Sequence, residues 1–226
     1  IRKYGFHGTS HRYVAQRTAE FLGKPLEELK IVSCHLGNGC SLTAIKQGVS
    51  VDNSLGFTPL DGLMMGTRCG SIDPAIVVYM IEKLGMTPSE AENIMNRKSG
   101  LLGISGLTND LRDVRAAAEE GNERAILAYE MYSNSVKRFI GQYAFEIGGL
   151  DALVFCGGVG ENDVRIRNMI LDGLEGLGIV LDDERNQQYG GERKISTDDS
   201  PVTVAVIPTN EDLMIAKDVI ALSNSL

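Results

Sequence analysis

Leu150–Asn162 reads Leu-Asp-Ala-Leu-Val-Phe-Cys-Gly-Gly-Val-Gly-Glu-Asn, a pattern typical of an α/β protein. The apolar run Ala152–Cys156 is bounded by turn residues and predicts a buried strand. Three glycines follow in a predicted loop, and apolar residues at helical spacing over Glu161–Leu177 predict a helix after it. A strand, a glycine loop and a helix N-terminus in this order present backbone N–H groups that suit phosphate. A tight turn in any α/β protein would show the same pattern, so the residues alone leave both interpretations open.

The composition is that of an ordinary globular protein. The 226 residues are 43% hydrophobic and 23% charged, which fits one large domain or two small ones. The net charge of −8, without a basic block, argues against a nucleic-acid partner. No apolar run approaches the roughly 18 residues of a membrane span, so no membrane partner is expected. The four cysteines lack metal-ligand or disulfide spacing and are interpreted as reduced thiols of a cytoplasmic protein.

Two histidines lie close together near the start of the chain. His7 precedes a predicted helix that Thr9 or Ser10 would cap and Gly23 would end, and His11 lies in its first turn. A lone histidine at a helix start is usually structural. Two within five residues favour a functional role only modestly.

A second turn rich in backbone donors is His35–Gly39, which reads His-Leu-Gly-Asn-Gly. It joins the predicted strands Ile31–Ser33 and Ser41–Ile45, and Val49–Asp52 is the next predicted strand. The turn is by default an ordinary hairpin connection. Its neighbours His35 and Ser41 make it suitable for a phosphate.

The longest irregular segment, Asn53–Asp73, contains one cation, Arg68. Long irregular segments inside a compact domain are usually functional or disordered, and the apolar residues of this one argue against disorder. A guanidinium is costly to order without an anion, so we expect Arg68 to bind one.

The rest of the chain predicts mainly helices. A helix over Asp73–Gly85 is expected to bury Ile76, Val77, Met80, Ile81 and Leu84. The other predicted elements are a helix opened by the capping box Thr87–Glu90 and ending near Arg97, an apolar loop Leu101–Gly106, a helix from Thr108 to Glu120, a long helix Asn122–Ile147 whose aromatic stripe is core or subunit interface, a polar loop Asp182–Ser200, a strand Val202–Ile207 and a helix Glu211–Leu222.

Five segments together resemble the acetokinase family, the acetate kinases. In the family's order and spacing they are Phe6–His11, His35–Gly39, Gly56–Arg68, Gly157–Asn162 and Pro208–Glu211. The resemblance covers the whole chain and implies an α/β fold, the βββαβαβα lobe of the acetate and sugar kinase, heat-shock chaperone and actin type (ribonuclease H-like). It implies that residues 1–226 form a single nucleotide-binding C-terminal domain of a two-domain kinase. Residues 1–25 would be a helical lead-in from an absent N-terminal domain.

The resemblance also implies an activity, reversible phosphoryl transfer between ATP and acetate that gives ADP and acetyl phosphate. His7 and Arg68 would be catalytic and stabilise the charge of the transferred group, and Glu211 would contact Mg²⁺ through water. A homodimer is also implied. The implied nucleotide contacts are His35, Leu36, Gly37, Asn38, Gly39, Asp110, Leu111, Arg112, Gly158, Val159, Gly160, Glu161 and Asn162.

Other interpretations stay open beside this one. Propionate and butyrate kinases share most of these motifs. The chain alone could be a non-catalytic nucleotide-binding or dimerisation lobe, since the family's other catalytic groups belong to the absent domain. An actin-like structural ATPase is disfavoured by Gly56–Arg68. Without the resemblance, Asp110, Arg112 and Glu211 would be read as ordinary residues of helix first turns.

Overall fold

The computed structural model of the chain describes residues 1–224, so the last two residues of the predicted 1–226 domain lie outside it. Backbone contacts divide the described residues into two compact units. The helical unit consists of Ile1–Gly5, Gly37–Cys40 and Ser54–Phe139. The sheet unit consists of Phe6–Leu36, Ser41–Asn53 and the residues from Ile140 onward. A single nucleotide-binding domain therefore stays a prediction.

The sheet unit contains a six-stranded sheet in the order β3-β2-β1-β4-β6-β5. Strands β1 and β4 are parallel, with Ile31 opposite Ala152, and β4 is parallel to β6, with Ala152 opposite Thr203. The carboxyl ends of these three strands therefore lie at the same sheet edge. The strands are β1 (Lys30–Leu36), β2 (Cys40–Lys46), β3 (Val49–Asn53), β4 (Ala152–Cys156), β5 (Arg193–Lys194) and β6 (Thr203–Val206).

The core of the sheet unit forms where the first helix, α1 (Gly8–Leu22), packs on the sheet. Apolar side chains one helical turn apart, Ala15 and Ala19, pack with Val14 against Ile31, Val154 and their neighbours. This core fixes the height of α1 over β1 and β4, and so the position of the histidines at its start. The other helices of this unit are α7 (Gly157–Asn162), α8 (Val164–Leu171), α9 (Asp183–Asn186) and α10 (Glu211–Ser223).

The helical unit holds α2 (Pro74–Glu82), α3 (Pro88–Arg97), α4 (Gly100–Ser105) and α5 (Leu111–Glu119), and the first part of α6 (Glu123–Glu146). The predicted capping box is present at the start of α3, where Thr87 and Glu90 satisfy each other's backbone N–H groups. The aromatic stripe of α6 is core, since Tyr129, Tyr132 and Tyr143 are each at most 2% exposed. No helix within residues 1–224 is long and apolar enough to cross a bilayer.

Several local predictions are wrong. The glycines after β4 are helical rather than a loop, and the helix does not continue to Leu177, because Asp163 ends α7 and caps α8 by accepting a hydrogen bond from Ile166 N. Leu101–Gly106 is mostly helix α4, and the predicted polar loop Asp182–Ser200 contains α9 and β5. Tertiary contacts decide these segments, which local composition does not report.

Two predicted helices are present, but the N-cap predicted for α1 and the buried side chains predicted for α2 are wrong. Neither Thr9 nor Ser10 caps α1; its N-cap is His7, in the left-handed conformation at φ 57°. Of the side chains predicted to be buried on α2, only Met80 is buried, and Ile76 is 45% exposed. The apolar spacing of α2 therefore marks a face that the described residues leave largely uncovered.

Candidate functional site

Three segments of the sheet unit meet at the carboxyl edge of its parallel strands. His35, the last residue but one of β1, lies directly opposite Cys156, the last residue of β4, and α7 follows β4 at once. Glu211 begins α10 shortly after β6, and Asn210 caps that helix by accepting from Leu213 N. Burial, together with the charges of Glu161 and Glu211, raises the pKa of the Cys156 thiol to about 12, which places both carboxylates near the same strand end. Loops at this edge of an open sheet are where such folds bind ligands.

All three histidines of the sequence form one cluster at this edge. The rings of His7 and His35 are stacked, with centroids 4.2 Å apart and planes 18° from parallel. The ring of His11 lies 6.5 Å from that of His7 and 6.3 Å from that of His35. Burial lowers the pKa of His11 well below its usual range and that of His35 to about 4, with the neighbouring histidines adding to both effects. Two of the three rings are therefore neutral near pH 7.

Serine hydroxyls hold the three rings. Ser41 Oγ lies 2.8 Å from His7 Nδ1 and 2.7 Å from His11 Nε2. On the other side of the His11 ring, Nδ1 lies 3.0 Å from Ser33 Oγ. Ser10 Oγ lies 2.8 Å from His35 Nδ1. His7 also takes a positive φ of 57°, a backbone conformation that side-chained residues adopt uncommonly.

Helix α7 starts with two glycines, of which the backbone geometry requires only the first. Gly157 has φ 77°, and a Cβ there would lie 2.7 Å from Leu36 O, so no other residue fits. A Cβ on Gly158 would meet nothing within 4 Å. The side chains of the next polar residues close on the helix itself, since Glu161 Oε1 accepts from Gly157 N and Asn162 Nδ2 donates to Gly158 O.

Two arginines that the sequence did not reveal as site residues hold the far end of α7. Arg167 is fully buried, and its guanidinium donates to Gly160 O at 2.8 Å and to the side chain and backbone oxygens of Asn186. Arg193 donates to Glu161 O at 2.8 Å. Cations at the C-terminal carbonyls of a helix stabilise it, which explains how a helix with three glycines forms. The one sequence signal was an arginine between the apolar positions of α8.

We expect the two glycines to respond oppositely to alanine. Gly158→Ala should leave the free energy of unfolding unchanged or raise it by up to about 1 kcal/mol, because alanine favours a helix and has room. If a ligand phosphate or sugar approaches this backbone, the same change should weaken nucleotide binding at least 10-fold. Gly157→Ala, the matched control, should unfold the protein more easily. Thermal melts measure the change in stability, and calorimetric titration measures the change in nucleotide affinity. Full nucleotide affinity in Gly158→Ala would contradict a nucleotide contact at Gly158.

In the helical unit, Arg68 lies half-buried on a polar cleft. The cleft has a volume of about 490 Å³ and is lined by Asn38, Thr67, Arg68, Ser89, Glu92, Asn93, Asn96 and Arg97. Arg68 Nη1 donates to Pro59 O at 3.2 Å and lies 3.6 Å from Met65 Sδ. Arg68 forms no ion pair with any carboxylate of residues 1–224, which leaves its charge available to an anion.

The turn Gly37–Gly39 is fixed within the same unit. Asn38 O accepts from Gly66 N at 3.3 Å, and Asn38 Oδ1 accepts from Asn109 Nδ2 at 3.1 Å. A Cβ on Gly66 would overlap Asn38 Oδ1 and lie 3.1 Å from Asn109 O, so a side chain at this position would displace the Asn38 carboxamide. The Asn38 carboxamide is thereby held in place although the residue is exposed.

Asp110–Arg112 forms a small self-contained motif at the start of α5. Asp110 caps the helix by accepting from Arg112 N and also pairs with the Arg112 guanidinium. This pairing lowers the pKa of Asp110 to about 2. The Arg112 side chain is 81% exposed, so its planar face is open to a ring, whereas the Leu111 side chain is buried in the core.

The predicted site residues divide between the units. The sheet unit brings together His7, His35, Leu36, residues 158–162 and Glu211, and the helical unit holds Gly37, Asn38, Gly39, Arg68 and Asp110–Arg112. Leu36 and Leu111 are buried, so their side chains are not available to a ligand. The sequence favoured a functional role for His7 and His11 only modestly, offered Ser10 only as a helix cap and assigned no role to Ser33. The contacts of these residues depend on how α1 lies over β1 and β2.

Comparison with known proteins is clear. The profile of the acetokinase family matches residues 1–217. Curated acetate kinases from Methanosarcina thermophila and Dictyoglomus thermophilum are both 59% identical, over 96% and 97% of this chain but 53% and 55% of their own length. The chain thus spans about half the length of the curated relatives it matches.

Solved structures agree in fold. The crystal structure of an acetate kinase from Porphyromonas gingivalis matches with a TM-score of 0.95 and 47% identity, covering 98% of this chain and 56% of that one. A propionate kinase from Francisella tularensis matches with a TM-score of 0.89 and 46% identity, covering 96% and 55%. The predicted α/β fold class is confirmed by this likeness and by the βββαβαβα order of the main elements.

Proposed function

We propose that this chain, which belongs to the acetokinase family, is the nucleotide-binding part of an acetate kinase. The reaction proposed is reversible phosphoryl transfer between ATP and acetate. The observation that carries the proposal is the meeting of His35, α7 and Glu211 at one sheet edge in a chain of this family. Acetate is proposed as the acceptor because the acetate kinases named above are 59% identical, against 46% for the propionate kinase.

The sheet unit is proposed to hold phosphates. Gly158 exposes backbone that a phosphate or sugar can approach, and His35 and His7 offer ring nitrogens at the same edge. In phosphoryl transfer the moving group spreads its negative charge over equatorial oxygens, so the protein contributes mainly position and compensating charge. We assign His7 to this charge stabilisation.

The helical unit is proposed to contribute Arg68 to the same chemistry and Asp110–Arg112 to the nucleoside. A half-buried guanidinium without an ion pair suits an anionic group, and its planar fork can grip two oxygens at once. An exposed Arg112, held flat by Asp110, suits stacking on a purine face.

Glu211 is the residue proposed to hold Mg²⁺. Mg²⁺ prefers oxygen ligands and usually takes one or two carboxylates, keeping water and phosphate oxygens in the other positions. The Glu211 carboxylate is exposed at the shared edge and fits that requirement. When bound, the ion would neutralise phosphate charge. The absent N-terminal domain, a homodimer and a cytoplasmic location stay predictions.

We expect this chain alone to bind Mg-ADP but to have no measurable turnover with acetyl phosphate. Losing a partner domain removes positioning worth about 7–11 kcal/mol of barrier. Calorimetric titration and an acetyl phosphate assay on the same sample separate the possibilities. Absence of nucleotide binding would overturn the binding assignment, and turnover by this chain alone would overturn the view that it needs a further domain.

A further inference from the structure

His11 is the buried member of the histidine cluster and the one without a place in the proposed chemistry. It is 3% exposed, and both of its ring nitrogens face serine hydroxyls that are fully buried, Ser33 on β1 and Ser41 on β2. Thus three different elements fix this ring. Both nitrogens of a buried imidazole need hydrogen-bond partners, and here each partner is a hydroxyl, which can either donate or accept.

The shared Ser41 hydroxyl ties the protons of two rings together. Ser41 Oγ faces His11 Nε2 and His7 Nδ1, at 2.7 and 2.8 Å, and a hydroxyl has one proton to donate. If Ser41 donates to His7, it must accept from His11 Nε2–H. If it donates to His11, it must accept from His7 Nδ1–H. When both rings are neutral and the Ser41 proton lies in one of these two bonds, one of the two facing nitrogens carries a proton and the other does not.

We propose that His11 is a positioning residue for His7 and acts through the Ser41 hydroxyl. The inference rests on the proposed function, in which His7 stabilises the transferred phosphoryl group. Through Ser41, the His11 ring selects the tautomer of His7 and holds the angle of its ring. Ser33 in turn holds His11 from the far side. Fixing a tautomer through a hydrogen-bonded neighbour is a general device of histidine chemistry.

The direct test is nitrogen NMR of the histidine rings. The 226-residue chain has three histidines, so ¹⁵N-histidine labelling gives six ring signals, and a protonated ring nitrogen resonates far from a bare one. We expect one proton across His7 Nδ1 and His11 Nε2, and a changed tautomer pattern at His7 in Ser41→Ala. Thr18→Val removes a buried hydroxyl of α1 that donates to Val14 O, away from the histidine rings, and it should leave the His7 signals unchanged. Protons on both facing nitrogens or on neither, or identical His7 signals in Ser41→Ala, would overturn the proposal.

A second pair of variants covers the case in which Ser41→Ala does not fold. A glutamine amide can reach the position of a histidine Nε2, so His11→Gln should keep His7 in one tautomer, whereas His11→Leu should not. Equal His7 signals in these two variants would contradict the relay.

Kinetics of the complete enzyme test the same link by a double-mutant cycle. Ser41→Ala and His11→Leu should each lower kcat by about 10-fold, with little change in the nucleotide KM. A loss of this size is usual for residues that orient a group in direct contact with the reacting centre. Because both changes break one link, the double variant should lose no more than either single one, and multiplied losses would overturn the proposal. If His7→Ala keeps full kcat while the NMR coupling holds, the assigned role of His7 fails and the coupling stands.

Discussion

Replacing Arg68 by alanine is expected to lower kcat of the acetate kinase proposed above by about 10³-fold, the usual loss for an arginine that stabilises the charge of phosphoryl transfer. Arg68 is half-buried, is ordered by a contact with Pro59 O, and forms no ion pair within the described part of the chain. Its charge therefore costs energy to hold in place and is not used by the fold itself. Acetyl phosphate formation from ATP and acetate measures the loss.

A matched control exists in the same cleft. Arg97 also lines it but ends α3, where its charge favours the helix dipole. Arg97→Ala should change kcat by no more than a few-fold. Arg68→Lys should recover only part of the activity, because an ammonium lacks the planar fork. If Arg68→Ala kept near-normal kcat with an unchanged melting temperature, its catalytic role would be refuted.

The second large effect is expected from pH. His11 and His35 have folded pKa values below their usual 6.5, chiefly because burial disfavours the charged ring. As pH falls below 6.5, the unfolded chain therefore binds protons that the folded chain does not, and the free energy of unfolding decreases. The stability that the two neutral histidines contribute is fully present above pH 6.5 and decreases as the pH falls below 6.5. His11 accounts for up to about 1.4 kcal/mol per pH unit, and the partly exposed His35 for less.

The window from pH 6.5 to about 5 isolates this effect. The carboxylates with lowered pKa values, Glu90, Asp110 and Asp198, lose their contributions only when pH falls below about 4.5. Urea unfolding of the chain at several pH values across the window measures the slope. His35→Gln should reduce the slope and leave the His11 part. Stability that did not change between pH 7 and pH 5 would contradict the burial of neutral histidines.

The sequence predicted the elements whose signals are local. Five apolar residues in a row correctly predicted β4. The Thr87–Glu90 capping box predicted the start of α3, and Gly23 predicted the end of α1. Helix α4 was missed because its support is distant: Leu101 N donates to Met65 O and Leu102 N to Gly66 O. Tertiary hydrogen bonds of this kind override local propensity.

The site was predictable in part and for a similar reason. His7, His35 and the glycines after β4 stand in motifs that resemble one family, so their residue types could be read directly. The link from His11 to His7 through Ser41 depends on α1 lying over β2, which no spacing along the chain reports. The roles of these residues in binding and catalysis stay predictions until the variants above are measured.

The register of the parallel strands has a consequence for how the chain is made. Ile31 of β1 is paired with Ala152 of β4, and Ala152 is paired with Thr203 of β6. The sheet therefore joins its first strands to segments that are synthesised much later. Every segment of the helical unit has been synthesised once Phe139 is added, but β1 must wait for β4, and β4 for β6. Pairings this distant along the chain slow folding and leave strand edges exposed in the meantime. Nascent chains stopped before Thr203 should therefore depend on chaperones.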